Sequence, residues 1–226
     1  MSQGTRIGWH FLSDDGLLRF GDYRKPRKGE WVKMLGFGNP ILNQIGMHAS
    51  QTVLDALNYA PGSLLCRVKV RGDIVSDGNK FAGRERLIIA RADATRMLHE
   101  FACDCAMIAL KVAKNTNQQS LSAINIKRRW LSCNASDLEL SNAFESASEA
   151  AMDANYGVDW AALWTVFWAT SCSPLTSAFN AASSCAVASS IVASCPSAGS
   201  EAWNIAWAER SRDLEERAMK HFGICR

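Results

Sequence analysis

The residues best suited to chemistry gather between positions 46 and 86. His48 lies in Gly46-Met47-His48-Ala49-Ser50, just ahead of a short helix, at a loop or strand end where side chains converge on a cleft. A ring there can act as an acid or base, or it can simply satisfy nearby backbone groups. Tyr59, Lys80, Arg84 and Arg86 stand in the same block and could hold a ligand, and Glu85 sits between the two arginines. A second set is basic. Arg24-Lys25-Pro26-Arg27-Lys28, with Tyr23 and Trp31 close by, combines phosphate-seeking charge with stacking rings, and Lys127-Arg128-Arg129-Trp130 repeats the theme.

The order of the first set is similar to that of ADP-ribosyltransferases, which run from a polar first strand through a Ser/Thr strand to a late glutamate. The resemblance implies that Ser50 helps hold a dinucleotide such as NAD beside His48. Glu85 would then bond a ribose hydroxyl and stabilise an oxocarbenium-like centre. The full Ser-Thr-Ser element is missing, and the arginines flanking Glu85 could instead pair with it. Two histidine–cysteine pairs four apart, His99/Cys103 and His221/Cys225, invite a zinc reading. Neither has knuckle spacing, so no metal is expected. A phosphate-cradling glycine loop with lysine, a Gly-x-Ser-x-Gly elbow and a His-Glu-x-x-His helix are all missing from the sequence.

The elements that must position these residues divide into two kinds. Residues 1–92 predict an α+β domain. A hairpin is expected from Gly8–Leu12 to Leu17–Phe20 about Asp15-Gly16, with a strand at Trp31–Leu35 and a helix over Gln51–Tyr59 capped by Ser50. Leu64–Val70 alternates as a strand with one buried face, and Phe81–Ala90 is a further strand after the Asp77-Gly78-Asn79 turn. Residues 93–226 predict an all-α region of stacked antiparallel helical hairpins, a degenerate repeat rich in Ala, Ser and Trp. Ser136 and Ser173-Pro174 are helix starts. The tryptophans, four apart at 160, 164 and 168 and again at 203 and 207, read as core between small-residue helices.

Within residues 1–92, Trp9-His10-Phe11-Leu12, Gly46–Ser50, Asp55-Ala56-Leu57, Tyr59-Ala60-Pro61-Gly62, Cys66-Arg67-Val68, Gly72-Asp73-Ile74-Val75, Lys80-Phe81-Ala82 and Glu85-Arg86 resemble an uncharacterised domain common in bacteriophage and prophage proteins. Members of that family often continue into Ala/Trp-rich helices. The resemblance implies a phage or mobile-element origin and supplies no activity.

Composition narrows the classes. Nearly half the residues are apolar (48%), which suits a packed core rather than disorder. Residues 1–96 carry 15 Lys/Arg against 9 Asp/Glu, whereas the remainder carry 10 against 13, so the basic face is N-terminal. Its partner is expected to be a host or phage protein or a nucleic acid. The first residues lack an apolar leader, and eight cysteines then read as reduced thiols in a cytoplasm. Cys172, Cys185 and Cys195 are expected to be small buried hydrophobes. Residues 160–170 are too few to cross a bilayer and 178–194 are diluted by serine, so no membrane is expected. The reading is a phage or prophage accessory protein that binds a macromolecule without catalysis, with the transferase as the alternative and nucleic-acid binding after it.

Overall fold

A computed structural model describes residues 4–19, 21–115, 117–193 and 196–224. The chain divides into two units: Met1–Ala94 together with Asp213–Arg226, and Thr95–Arg212. The change of pattern at residue 93 lies beside the first boundary, whereas the last segment belongs to the first unit.

The first unit is built on one antiparallel sheet of seven strands: β1 (Thr5–Leu12), β2 (Trp31–Lys33), β3 (Met47–Ser50), β4 (Leu64–Arg71), β5 (Val75–Asp77), β6 (Lys80–Gly83) and β7 (Glu85–Asp93). Their spatial order is β2-β7-β4-β1-β3-β6-β5. The expected single strand over Phe81–Ala90 is therefore two. Only Arg84 separates β6 from β7, yet they lie on opposite flanks of the β4-β1-β3 centre. The sheet curls to allow this, until Arg86 of β7 donates to the His48 carbonyl of β3 at 2.7 Å. Close approach at the crossing demands glycine: a Cβ on Gly83 would sit 2.6 Å from Val70 Cγ1 and 2.7 Å from the Arg71 carbonyl.

The inward face carries Leu12, Met47, Ala49, Cys66, Val68, Val70, Phe81 and Ile88 as a buried cluster. Phe81 fits because Gly8 opposite it has no side chain; a Cβ there would meet Phe81 Cζ at 2.6 Å. The other face is covered only in part: Leu65 has no exposure while Lys69 is exposed, so β4 keeps the buried face of Cys66, Val68 and Val70 that its alternation predicts, with Leu65 covered as well. Trp9 lies fully buried on that side. Its indole N–H donates to Glu215 (3.1 Å), its ring stacks on Phe222, and the Arg67 guanidinium lies over it at 4.4 Å. His221 bonds the Asp93 carbonyl at 2.9 Å. Helix α1 (Val53–Leu57) is capped by Thr52 rather than Ser50, and its Oγ1 accepts from the Asp55 N–H. Among the described residues no strand follows the Ser13–Gly16 turn. Leu17–Arg19 run as a strap instead of the second arm of a hairpin, and Phe20 lies outside the described residues.

The second unit holds α2 (Thr95–Ala113), α3 (Gln118–Leu131), α4 (Asp137–Asp153), α5 (Val158–Thr170), α6 (Pro174–Val192) and α7 (Pro196–His221), whose residues from Asp213 onward belong to the first unit. Starts follow local chemistry: Ser136 and Glu139 form a capping box for α4, and Ser173 with Pro174 opens α6. Pro196 opens α7. Helix α2 packs against α5 and α6, and α5 against α4 and α6. Alanines 161, 162, 169, 178, 181, 182 and 186 are fully buried at these contacts. The tryptophans are not that core: Trp160, Trp164, Trp168, Trp203 and Trp207 are all partly exposed. Small residues bring the helix axes close, and indoles are then too large to fit between them. Trp160, Trp164 and Trp168 instead line α5 in a ladder with Tyr156, centroids 5.2 to 6.0 Å apart, and Trp203 stacks on Trp207 along α7. Cys185 is buried as expected and Cys172 is exposed; Cys195 lies outside the described residues. Among the described helices, α6 alone is long and apolar enough to cross a membrane.

Candidate functional site

His48 stands on β3, but both ring nitrogens are spent on the backbone. Nε2 accepts the Asn43 N–H at 3.2 Å, so the proton sits on Nδ1 and is donated to the Gly46 carbonyl at 2.9 Å. Burial lowers the His48 pKa, opposed in part by the Gly46 bond, and the positive charges of Arg86 and Lys80 push the same way as burial. The imidazole is therefore neutral at pH 7. Lys80 reaches Asn43 Oδ1 at 2.7 Å and the Tyr59 hydroxyl at 3.1 Å, and its ammonium lies over the Tyr59 ring. Asn43, with φ of 65°, joins the His48 and Lys80 contacts and was not singled out from the sequence. His48, Lys80 and Tyr59 thus form one surface cluster.

Ser50 and Glu85 are engaged elsewhere. Ser50 is buried and pairs in register with Trp9 on one side and Lys80 on the other. The Glu85 carboxylate takes two bonds from Arg71, at 2.7 and 2.6 Å, and faces Lys33 at 3.8 Å. Arg71 in turn stacks on Trp31. No hydrogen bond joins His48, Ser50 and Glu85 to one another. Arg84 points to Asp73 and Asn39. Arg86 turns to the interior, where it is 5% exposed.

The basic turn is only partly free. Arg24 is locked by two bonds to Asp22 (2.8 and 2.7 Å) and one to the Lys33 carbonyl. Arg27 pairs loosely with Glu30, and Lys25, Lys28 and the Tyr23 ring are exposed. In the second unit, Lys127-Arg128-Arg129 is no basic patch. Lys127 is fully buried, donating to the Ser171 carbonyl at 2.7 Å and lying over Trp130, while Arg128 and Arg129 pair with Asp104 and Glu139. The run of three charges suggests a solvent-facing patch, but the face carrying Lys127 turns inward with Ala123 and Ile124.

His99 and Cys103 are buried on α2. The imidazole lies edge-on to Trp130, and burial with the Lys127 charge, opposed in part by the Cys172 backbone, lowers its pKa to about 3. Burial pushes the Cys103 thiol up to about 11. His221 is held by Asp93, and Cys225 lies outside the described residues. Among the described residues, no group of three or more His, Cys, Asp or Glu side chains is placed to hold a metal.

An apolar group that no periodicity marks lies between β2 and β3. Leu35, Phe37, Ile41 and Ile45 are exposed on one loop, and Phe37 is at 104%, as open as a free residue. Gly36 (φ 85°) and Gly38 (φ 113°) flank it, both in backbone conformations that favour glycine and with nothing within 4 Å. The signal was there in Leu-Gly-Phe-Gly-Asn-Pro, where an aromatic between two glycines marks a turn tip rather than a strand. Comparison of the chain with protein-family models, with curated proteins and with solved structures gives no match.

Proposed function

We propose that the first unit is a non-enzymatic binding module of a phage or prophage accessory protein, acting in the host cytoplasm. It takes a host or viral protein on the loop between β2 and β3. The observation that carries this reading is Phe37, held fully in solvent by two glycines while Leu35, Ile41 and Ile45 stand exposed on the same loop. Exposed apolar side chains grouped in this way cost solubility and serve as anchors that bury on association. The basic balance of residues 1–96 favours a partner with an acidic rim.

The transferase alternative, with NAD, needs Glu85 free to accept from a ribose hydroxyl, and its carboxylate is already chelated by Arg71. Nucleic-acid binding has one observation in its favour: Tyr23 is 69% exposed beside the exposed Lys25 and Lys28.

The test is a photoreactive phenylalanine analogue at position 37, expressed in the host cell, with the same analogue at exposed Asp77 as control. A discrete protein adduct is expected from position 37 only, lost on Leu35→Asp. Identical adducts from both positions would defeat the reading. Oligonucleotide binding that disappears in Lys25→Glu/Lys28→Glu would move the function to the basic turn. Phe37→Ala is expected to leave stability within about 0.5 kcal/mol, because the ring touches nothing it must keep.

A further inference from the structure

A second observation for nucleic acid, apart from Tyr23 and the basic turn, lies on the sheet face turned away from the buried cluster. Val32 of β2 and Cys66, Val68 and Val70 of β4 pack into that cluster, so by strand alternation Trp31, Lys33, Lys69 and Arg71 point the other way. The register lays them out in two neighbouring cross-strand rows. Trp31 pairs with Leu87, Leu87 with Lys69, and Lys69 with Ile7. The next row runs Lys33, Glu85, Arg71 and Thr5. The end of α7 covers Trp9 on this side of the sheet and leaves these rows open: Ile7 is 48% exposed, and Lys69 is exposed as well.

Charge on the open rows is one-sided. Lys33, Lys69 and Arg71 share one carboxylate, Glu85, which Arg71 holds at 2.6 Å and Lys33 approaches at 3.8 Å. Lys69 forms no ion pair among the described residues, and the Lys33 side chain is almost wholly in solvent. The Arg71 guanidinium also lies over the Trp31 ring at 4.0 Å, so cation and indole make one layered platform beside the apolar Leu87 and Ile7. Unstacked bases lie against aromatic rings and guanidinium groups alike, and lysines around them meet the phosphates.

We infer that this open face binds single-stranded nucleic acid, with bases against Trp31, Arg71 and the Leu87–Ile7 row and phosphates on Lys33 and Lys69. The four strands of a row span about 14 Å, the width on which four-stranded sheets stack two or three splayed bases. A duplex keeps its bases stacked inside, out of reach of Trp31, and an acidic protein would use the charges and leave the platform idle. The surface is separate from the Phe37 loop and holds whether or not that loop takes a protein.

Fluorescence anisotropy of the full chain with a labelled oligothymidine of about 15 nucleotides tests the face at about 50 mM salt, against the matching duplex and a glutamate-rich peptide. Saturable binding to the single strand, about tenfold tighter than to either competitor, is expected. Trp31→Leu should weaken it by about tenfold, the worth of one stacked base. Lys69→Glu should weaken it and flatten its salt dependence. Lys111→Glu, the same change of charge on the exposed surface of α2, should bind as the native chain does. Should Trp31→Leu fail to fold, the contrast between Lys69→Glu and Lys111→Glu carries the test. No saturable binding, equal affinity for the duplex or the peptide, or equal affinity in Lys69→Glu and Lys111→Glu overturns the inference.

Discussion

Lys127→Met separates the cost of a buried ammonium from the contacts that hold it. Lys127 has no solvent exposure, and burial, only partly opposed by Cys103 and Cys172, brings its pKa from 10.5 to about 8. At about 1.36 kcal/mol per pH unit this difference of roughly 2.5 corresponds to about 3.4 kcal/mol of charge-burial cost at neutral pH. Between the two values the unfolded chain binds more protons than the folded one, so Lys127 makes stability rise with pH. From pH 7 to pH 9.5 the gain is about 2 kcal/mol, most of the titration lying below the unfolded value. Methionine removes that cost and also the bond to Ser171, leaving its carbonyl unpaired at about 1–3 kcal/mol. The stacking on Trp130 goes as well, at about 0.5–2 kcal/mol. The two sides nearly offset at pH 7, and the variant should fall behind the native chain by a further 2 kcal/mol or so at pH 9.5. Cys103 and Cys185, both raised to about 11, lower stability in the alkaline range in either protein, so the difference between the two curves is the quantity to read. Urea unfolding followed by tryptophan fluorescence suits the purpose, because six of the eight tryptophans lie in the second unit. A difference that stays constant from pH 7 to pH 9.5 would refute the reasoning.

Acid should act on the second unit through His99. Its folded pKa of about 3 lies below the unfolded 6.5, so the unfolded chain takes up the proton first and stability drains away as pH falls below 6.5. His99→Leu should move the acid midpoint, read by circular dichroism, to lower pH; an unchanged midpoint would show that other groups govern it. In the first unit, Gly8→Ala would place a Cβ 2.5 Å from the Ser50 carbonyl and against Phe81, costing about 1–3 kcal/mol. A melting temperature equal to that of the native chain would mean that the sheet yields at this crossing.

Three local signals were legible because each acts within a few residues: Ser136 at the start of α4, Ser173 with Pro174, and the Asp77-Gly78-Asn79 turn; the cap of α1, read at Ser50, falls two residues on at Thr52. Nothing local announces that β6 and β7 part company at Arg84. That depends on Gly83 passing within van der Waals distance of Val70 and on the Arg84 N–H finding the Gly72 carbonyl. The same holds for Lys127, whose charge suggested solvent while its helical phase matched Ala123 and Ile124. For the site, His48, Tyr59 and Lys80 were named and do share a cluster, but the backbone groups that occupy His48 come from Asn43 and Gly46 in the preceding loop. Phe37 escaped notice because periodicity rewards apolar residues that recur, and a lone ring between two glycines does not.

The first unit is discontinuous along the chain, with Trp9 leaning on Glu215 and Phe222. During synthesis the seven strands emerge first, and the helical end that covers Trp9 follows only after the whole second unit has been made. At roughly 5–20 residues per second that interval is on the order of ten seconds. For that time the nascent sheet offers a bare indole and the Arg67 side chain to whatever surrounds the ribosome. A chaperone that shields this face would be the first molecule the protein meets, before any partner of the finished fold.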